Sequence, residues 1–158
     1  MSTLREQIVD AVHTALNTAR PEDVPEFVRT RIVSPEEDTL PANTLYQGPE
    51  VVTPYREGQK VGRTHGPFVN RNLTIHIEFL VKAAVGDPPA DQAADPSVAW
   101  ATQAIMAAAE DRFGGLVDDV YELGTEPEYD RRKVTFCRIR QIWRFKYHTR
   151  TDDPELKH

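Results

Sequence analysis

The sequence predicts an α+β fold: a two-layer domain whose mixed, mostly antiparallel sheet of four to five strands is packed by two helices, with a long mobile loop. Three observations carry this expectation. From Thr135 to Tyr147 the residues alternate, with Cys137, Ile139, Trp143, Phe145 and Tyr147 on one side and Arg138, Arg140, Arg144 and Lys146 on the other. A period of two belongs to a strand, because successive side chains point to opposite faces. Asn72 to Lys82 alternates in the same way, Leu73, Ile75, Ile77, Phe79 and Val81 against Asn72, Thr74, His76, Glu78 and Lys82. Finally, two stretches carry apolar residues at helical spacing.

The first helix spans about 4 to 19. Thr3 and Glu6 form a capping box, Leu4, Ile8, Ala11, Val12, Ala15 and Leu16 make its apolar stripe, and Pro21 closes it. Phe27 to Val33 reads as a strand ended by Pro35, and Leu40 to Gln47 as a second whose Pro41 suits a strand start or an edge. Gln47 to Pro67 reads as a long polar loop or a hairpin arm, holding Arg56, Lys60, Arg63 and His65. After the strand at 72–82, Gly86 to Ala94 is linker-like. Asp95-Pro96 opens the second helix, with Asp as cap and Pro in the first turn, and Gly114-Gly115 ends it. This helix is apolar nearly all round, so more than one of its faces is buried. Val117 to Leu123 is a short acidic strand, 124 to 132 a charged turn, and 151–158 a frayed polar tail after a single domain over 1–150.

The totals narrow the function. At 158 residues the chain is one domain that buries roughly 70% of its unfolded surface and needs no staples. A net charge of −6 argues against a general nucleic-acid binder, although a basic stripe can still face DNA. The single Cys137 falls on the inward side of a strand, as an inert core thiol in a reducing compartment. The first residues carry no signal peptide and no apolar run reaches the roughly 20 residues of a membrane span, so a cytoplasmic protein without a membrane partner is expected.

A search for catalytic chemistry yields little. Gly58, Gly62 and Gly66 lack the strand–helix context of a phosphate loop, and there is no G-x-S-x-G. The histidines His13, His65, His76, His148 and His158 form no H-x-x-x-H or H-x-H pair. His76 and Glu78 share a strand face, but two ligands do not make a metal site. The simpler reading pairs them with the Arg138/Arg140 row across the sheet. Glu36, Glu37 and Asp38 read as a solvated loop, and the adjacent Asp118 and Asp119 as pointing to opposite faces of a strand. The cation row itself has three readings: a solvated outer face paired with carboxylates, a subunit interface meeting an acidic segment such as Asp118 to Glu122 of a neighbour, or the wall of a DNA channel. Arginine suits the last two, since its fork takes carboxylate and phosphate alike.

The arrangement as a whole resembles the tail terminator (minor tail, tail completion) proteins of long-tailed bacteriophages. The likeness lies in the N-terminal helix Leu4 to Leu16, the Asp38-Thr-Leu-Pro-Ala-Asn-Thr-Leu-Tyr46 segment, the strand Arg71 to Phe79, the helix containing Ala107-Ala-Ala-Glu-Asp-Arg-Phe113, and the final strand ending Phe145-Lys-Tyr147. It covers roughly residues 4 to 150. The resemblance implies a non-enzymatic subunit, without cofactor or bound metal. Such a subunit assembles in the host cytoplasm as a ring, commonly a hexamer, at the head-proximal end of the virion tail. The ring caps the tail tube, stops its polymerisation and offers the surface that joins the head connector, with DNA passing through transiently. Its partners are then further copies of itself, the tail tube protein and the connector. Arg63, Arg71, His76, Glu78, Arg138, Arg140, Arg144 and Lys146 are the expected interface or lumen residues. Three other readings are another ring-forming connector of the head–tail neck, a small metal-dependent hydrolase using His76, Glu78 and a third ligand from the loop, and a DNA-binding accessory protein, which the acidic net charge disfavours.

Overall fold

The computed structural model of the chain describes residues 2–29, 42–54, 68–83, 89–130 and 135–150. The Thr3 hydroxyl accepts the amide of Glu6 at 3.1 Å and so opens α1 (Leu4–Asn17), whose Leu4, Ile8, Val9, Val12 and Leu16 are buried. The order continues β1 (Phe27–Arg29), β2 (Asn43–Pro54), β3 (Phe68–Ala83), α2 (Ala90–Ala109), α3 (Arg112–Gly115), β4 (Asp119–Asp130) and β5 (Thr135–Arg150). The strands form one sheet in the order β1-β2-β3-β5-β4. Strand β1 pairs parallel with β2, and every other pair is antiparallel. This is the expected α+β two-layer domain.

One face of the sheet packs against both long helices. Leu45, Leu73, Ile75, Ile77, Phe79, Trp143 and Phe145 meet Ile8, Val12, Leu16, Ala101 and Ile105 there in a single core. Polar ties fix the layers. The Asn17 side chain exchanges two 2.9 Å hydrogen bonds with the backbone of Phe27. Trp100 Nε1 donates to the Leu16 carbonyl at 2.7 Å and joins the two helices. Gln141, buried among apolar neighbours, donates to Thr102 Oγ1 of α2 at 2.8 Å, while its Oε1 is buried without a partner among the described residues. Burial pushes the Cys137 thiol up from its ordinary pKa, which keeps it in the unreactive protonated form.

The turn after α2 is strained. Arg112, Phe113, Gly114 and Gly115 have φ of 57°, 51°, 68° and 84°, a left-handed turn that costs a non-glycine residue about 1–2 kcal/mol. Burial of the Phe113 ring, edge-on to Phe145 at 5.5 Å, offsets that cost. Asp111 helps by accepting the Gly114 amide at 3.2 Å.

Four sequence expectations change. Residues 47 to 54 belong to β2 and pair with β3 as far as Pro54↔Val69; a bulge between Gln47 and Glu50 breaks the alternation that would have revealed them. Helix α2 starts at Ala90, so Asp95 is no cap and Pro96 lies inside the helix, with its ring on the exposed side. Strand β4 runs to Asp130 through the supposed charged turn, because Pro127 needs no amide partner on the free side of an edge strand. Asp118 lies in a bend just before β4, where alternation does not bind it, and its carboxylate reaches His148 on the same face that Asp119 joins. Strand β1 is described only as far as Arg29. The acidic segment Glu36 to Asp38, the 55–67 part of the expected loop and the expected tail lie outside the described residues.

Candidate functional site

The face turned away from the helices carries the cation row, and it divides into two regions along β5. In the first, register sets Arg138 opposite Leu80 and Glu128, and Arg140 opposite Glu78 and Glu126. Glu78 is the centre of this cluster and is only 2% exposed. Its Oε1 accepts the Tyr46 hydroxyl at 2.6 Å and Arg140 Nε at 3.0 Å. Its Oε2 faces Arg138 Nε at 3.7 Å, which is a charge contact longer than a hydrogen bond. Glu128 and Glu126 approach the same two arginines from β4, at 3.7 and 4.0 Å. Partial burial and the bond to Glu78 push the Tyr46 hydroxyl up to about 12.

His76 borders this cluster. Its ring stacks on Tyr46 with centroids 5.1 Å apart and planes at 14°. The other side of the ring rests on Gly48, where a Cβ would lie 2.5 Å from Cδ2 and Nε2. Glycine is required there because the imidazole occupies the space a side chain would fill. Burial, and then the nearby Arg140 charge, hold the His76 pKa below its ordinary value. His76 Nδ1 is buried without a hydrogen-bond partner among the described residues.

The second region lies further along the same strand. Arg144 sits opposite Thr74 and Tyr121, and Lys146 opposite Asn72 and Asp119. Among the described residues the side chains of Arg144 and Lys146 make no ion pair. They line an open groove of about 650 Å³ with Val51, Thr53, Asn70, Asn72 and Tyr121. Val51 and Tyr121 are 56% and 45% exposed. The nearest carboxylate on the rim, Asp119, accepts the Tyr121 hydroxyl at 2.5 Å, and that bond raises the Tyr121 pKa. Beyond Lys146, His148 is paired with Asp118 at 2.6 Å.

The expected site residues therefore divide. Arg144 and Lys146 lie together on an open surface, whereas Arg138, Arg140, Glu78 and His76 form a largely intramolecular network. Arg71 does not join the row at all. It points to the helix-bearing face, where it bonds Glu50 at 3.0 Å and Thr149 at 2.8 Å, while Tyr147 donates to the same Glu50 at 2.8 Å. Odd-numbered residues of β3 share the inner face, which places Arg71 with Leu73 rather than with Asn72. Burial and the Glu50 bond raise the Tyr147 pKa. Arg63 lies outside the described residues. Sequence reasoning passed over Tyr46, Glu50, Val51 and Tyr121, and two of these, Glu50 and Val51, fall in the segment read as loop.

No protein-family model matches the chain, and no curated protein matches it.

Proposed function

We propose that this chain is a non-enzymatic assembly subunit of the phage tail-terminator kind, which forms a ring that caps a tail tube, halts its polymerisation and offers the head-joining surface. The observation that carries the reading is the outer sheet face, which no helix covers among the described residues. It presents Arg144 and Lys146, which make no ion pair among the described residues, beside an exposed Tyr121 and an exposed Val51. A rigid sheet with long strands and one open face supplies a flat wall for a repeated contact around a closed axis. No helix among the described residues is long and apolar enough to cross a membrane.

The metal-dependent hydrolase fits poorly. Glu78 is engaged by Tyr46 and two arginines, whose charges oppose a cation at that carboxylate. Among the described residues no three His, Cys, Asp or Glu side chains gather as a ligand set. Another neck connector remains the nearest rival in kind.

The test is functional. Purified protein added to polymerising tail tubes is expected to bind tube ends and stop elongation at substoichiometric ratios to tube subunits. Electron microscopy of the protein alone at high concentration is expected to show closed rings. Binding to portal-bearing heads but not to tubes would move the assignment to a connector, and failure to bind either would remove it.

A further inference from the structure

Two patches of opposite charge, neither of them ion-paired among the described residues, lie toward opposite ends of the sheet. One is the groove over Arg144 and Lys146. The other is the turn between α1 and β1, where Glu22, Asp23 and Glu26 are exposed and make no ion pair among the described residues. The turn leads into Phe27, which lies level with Asn43, Phe79 and Ile139 across the sheet. Lys146 is seven residues further along β5 and three strands away, so the patches are separated by roughly 25 Å. They do not neutralise each other within one chain.

We propose that the groove receives the Glu22–Glu26 turn of a second copy of this chain, so that copies join head to tail. The inference rests on the ring reading above and names its contact. Symmetry supports the choice. Setting groove against groove would oppose four cations with only the two Asp119 carboxylates to offset them, and turn against turn six carboxylates with only the two Arg20 guanidinium groups, so a two-fold interface at either patch keeps a surplus of like charge. Used together, they give a heterologous contact, the kind that closes into rings. The chemistry also fits. Arg144 offers a fork for a carboxylate and Lys146 a point charge. Tyr121 and Val51 supply an apolar rim for Pro25, which is exposed between the acidic residues of the turn. Arg20 in the same corner turns back to donate to the Val24 carbonyl, and its single charge leaves the three acids in excess. Exposed ion pairs contribute little singly, so one such contact is weak and salt-sensitive, and closure of a ring supplies the avidity.

The test is a charge swap on the full chain, read by sedimentation velocity at low and high salt. Wild type is expected to form oligomers that dissociate as salt rises. The variants R144E/K146E and E22K/D23K/E26K are each expected to be folded by circular dichroism and monomeric. An equimolar mixture should recover assembly, because each variant presents the patch the other needs. The neutral pair R144Q/K146Q provides the milder version, with association weakened at least tenfold. Wild-type assembly that both reversed variants share unchanged overturns this contact and leaves the ring reading standing. A wild type that stays monomeric at every concentration overturns both. Capture of a labelled oligonucleotide by monomeric wild type, lost in R144E/K146E, would give the groove to nucleic acid and likewise overturn the proposal.

Discussion

Arg140 and Arg144 lie on one strand, on one face, four residues apart, yet the fold uses them differently. Arg140 closes on a carboxylate that is almost wholly excluded from water, and Tyr46 and Arg138 complete the enclosure. Arg144 finds Thr74 and Tyr121 across the sheet and stays exposed in an open groove. The difference lies in register and not in β5 itself. Strands β3 and β4 place Glu78 and Glu126 opposite one cation and no carboxylate opposite the other. A row of like charges is therefore one signal covering two roles, an internal clasp that holds four strands together and a surface left for a neighbour.

Several experiments break or sharpen this contrast. The largest effect is expected from Glu78→Ala, which leaves Arg138 and Arg140 only their long contacts to the exposed Glu128 and Glu126 and takes the acceptor from the Tyr46 hydroxyl. Loss of one partner from a buried ionic cluster costs about 3 kcal/mol, to be read as a lowered urea midpoint with an unchanged slope. Gly48→Ala should follow, at about 1–2 kcal/mol, since its methyl would meet the stacked His76 ring. The double variant Gly48→Ala/His76→Ala should recover much of that loss, and a merely additive result would discount the contact.

Acid should act on the clasp as well. The His76 pKa is depressed in the folded state, so its neutral form is the one the fold accommodates. Its contribution is present above the unfolded value of about 6.5 and is lost as pH falls through the folded value. Stability of the wild type should therefore decline on acidification with a component that His76→Phe lacks, while NMR titration of His76 should report a midpoint below that of a free histidine.

A smaller gain is expected at the left-handed turn. Arg112→Gly relieves a backbone strain of about 1–2 kcal/mol and gives back part of it as unfolded-chain entropy. The net should be a stabilisation of about 0.5–1 kcal/mol, visible as a modest rise in Tm. The neighbouring Phe113→Gly should destabilise instead, because there the ring is buried against Phe145.

Much of the fold was legible because β3 and β5 obey the period of two through their buried halves, from Leu73 to Phe79 and from Cys137 to Tyr147. The Thr3 cap was legible for a local reason, a hydroxyl three residues ahead of the amide it accepts, whereas the Glu6 carboxylate of the expected capping box turns to Arg29 and Gln47 instead. What escaped was decided by distant chain. The upper half of β2 is interrupted by the bulge that brings Gly48 to His76, and its Gly-Pro-Glu looks like loop. Gly124 and Pro127 look like a turn, and only the long partner β5 makes them strand. The Asp95-Pro96 pair has the chemistry of a helix start, but the chain is already helical from Ala90. The division of the cation row was out of reach for a similar reason. It depends on β3 and β4 flanking β5, and the sequence of β5 carries no record of its neighbours.

The most direct measurement compares Arg140→Ala with Arg144→Ala by equilibrium urea unfolding under identical conditions. Arg140→Ala should lose about 2 kcal/mol, because a buried carboxylate forfeits its best donor. Arg144→Ala should stay within about 0.5 kcal/mol of wild type, as an exposed residue with no ion pair among the described residues does. Equal losses for the two variants would contradict the division of the row into clasp and open surface.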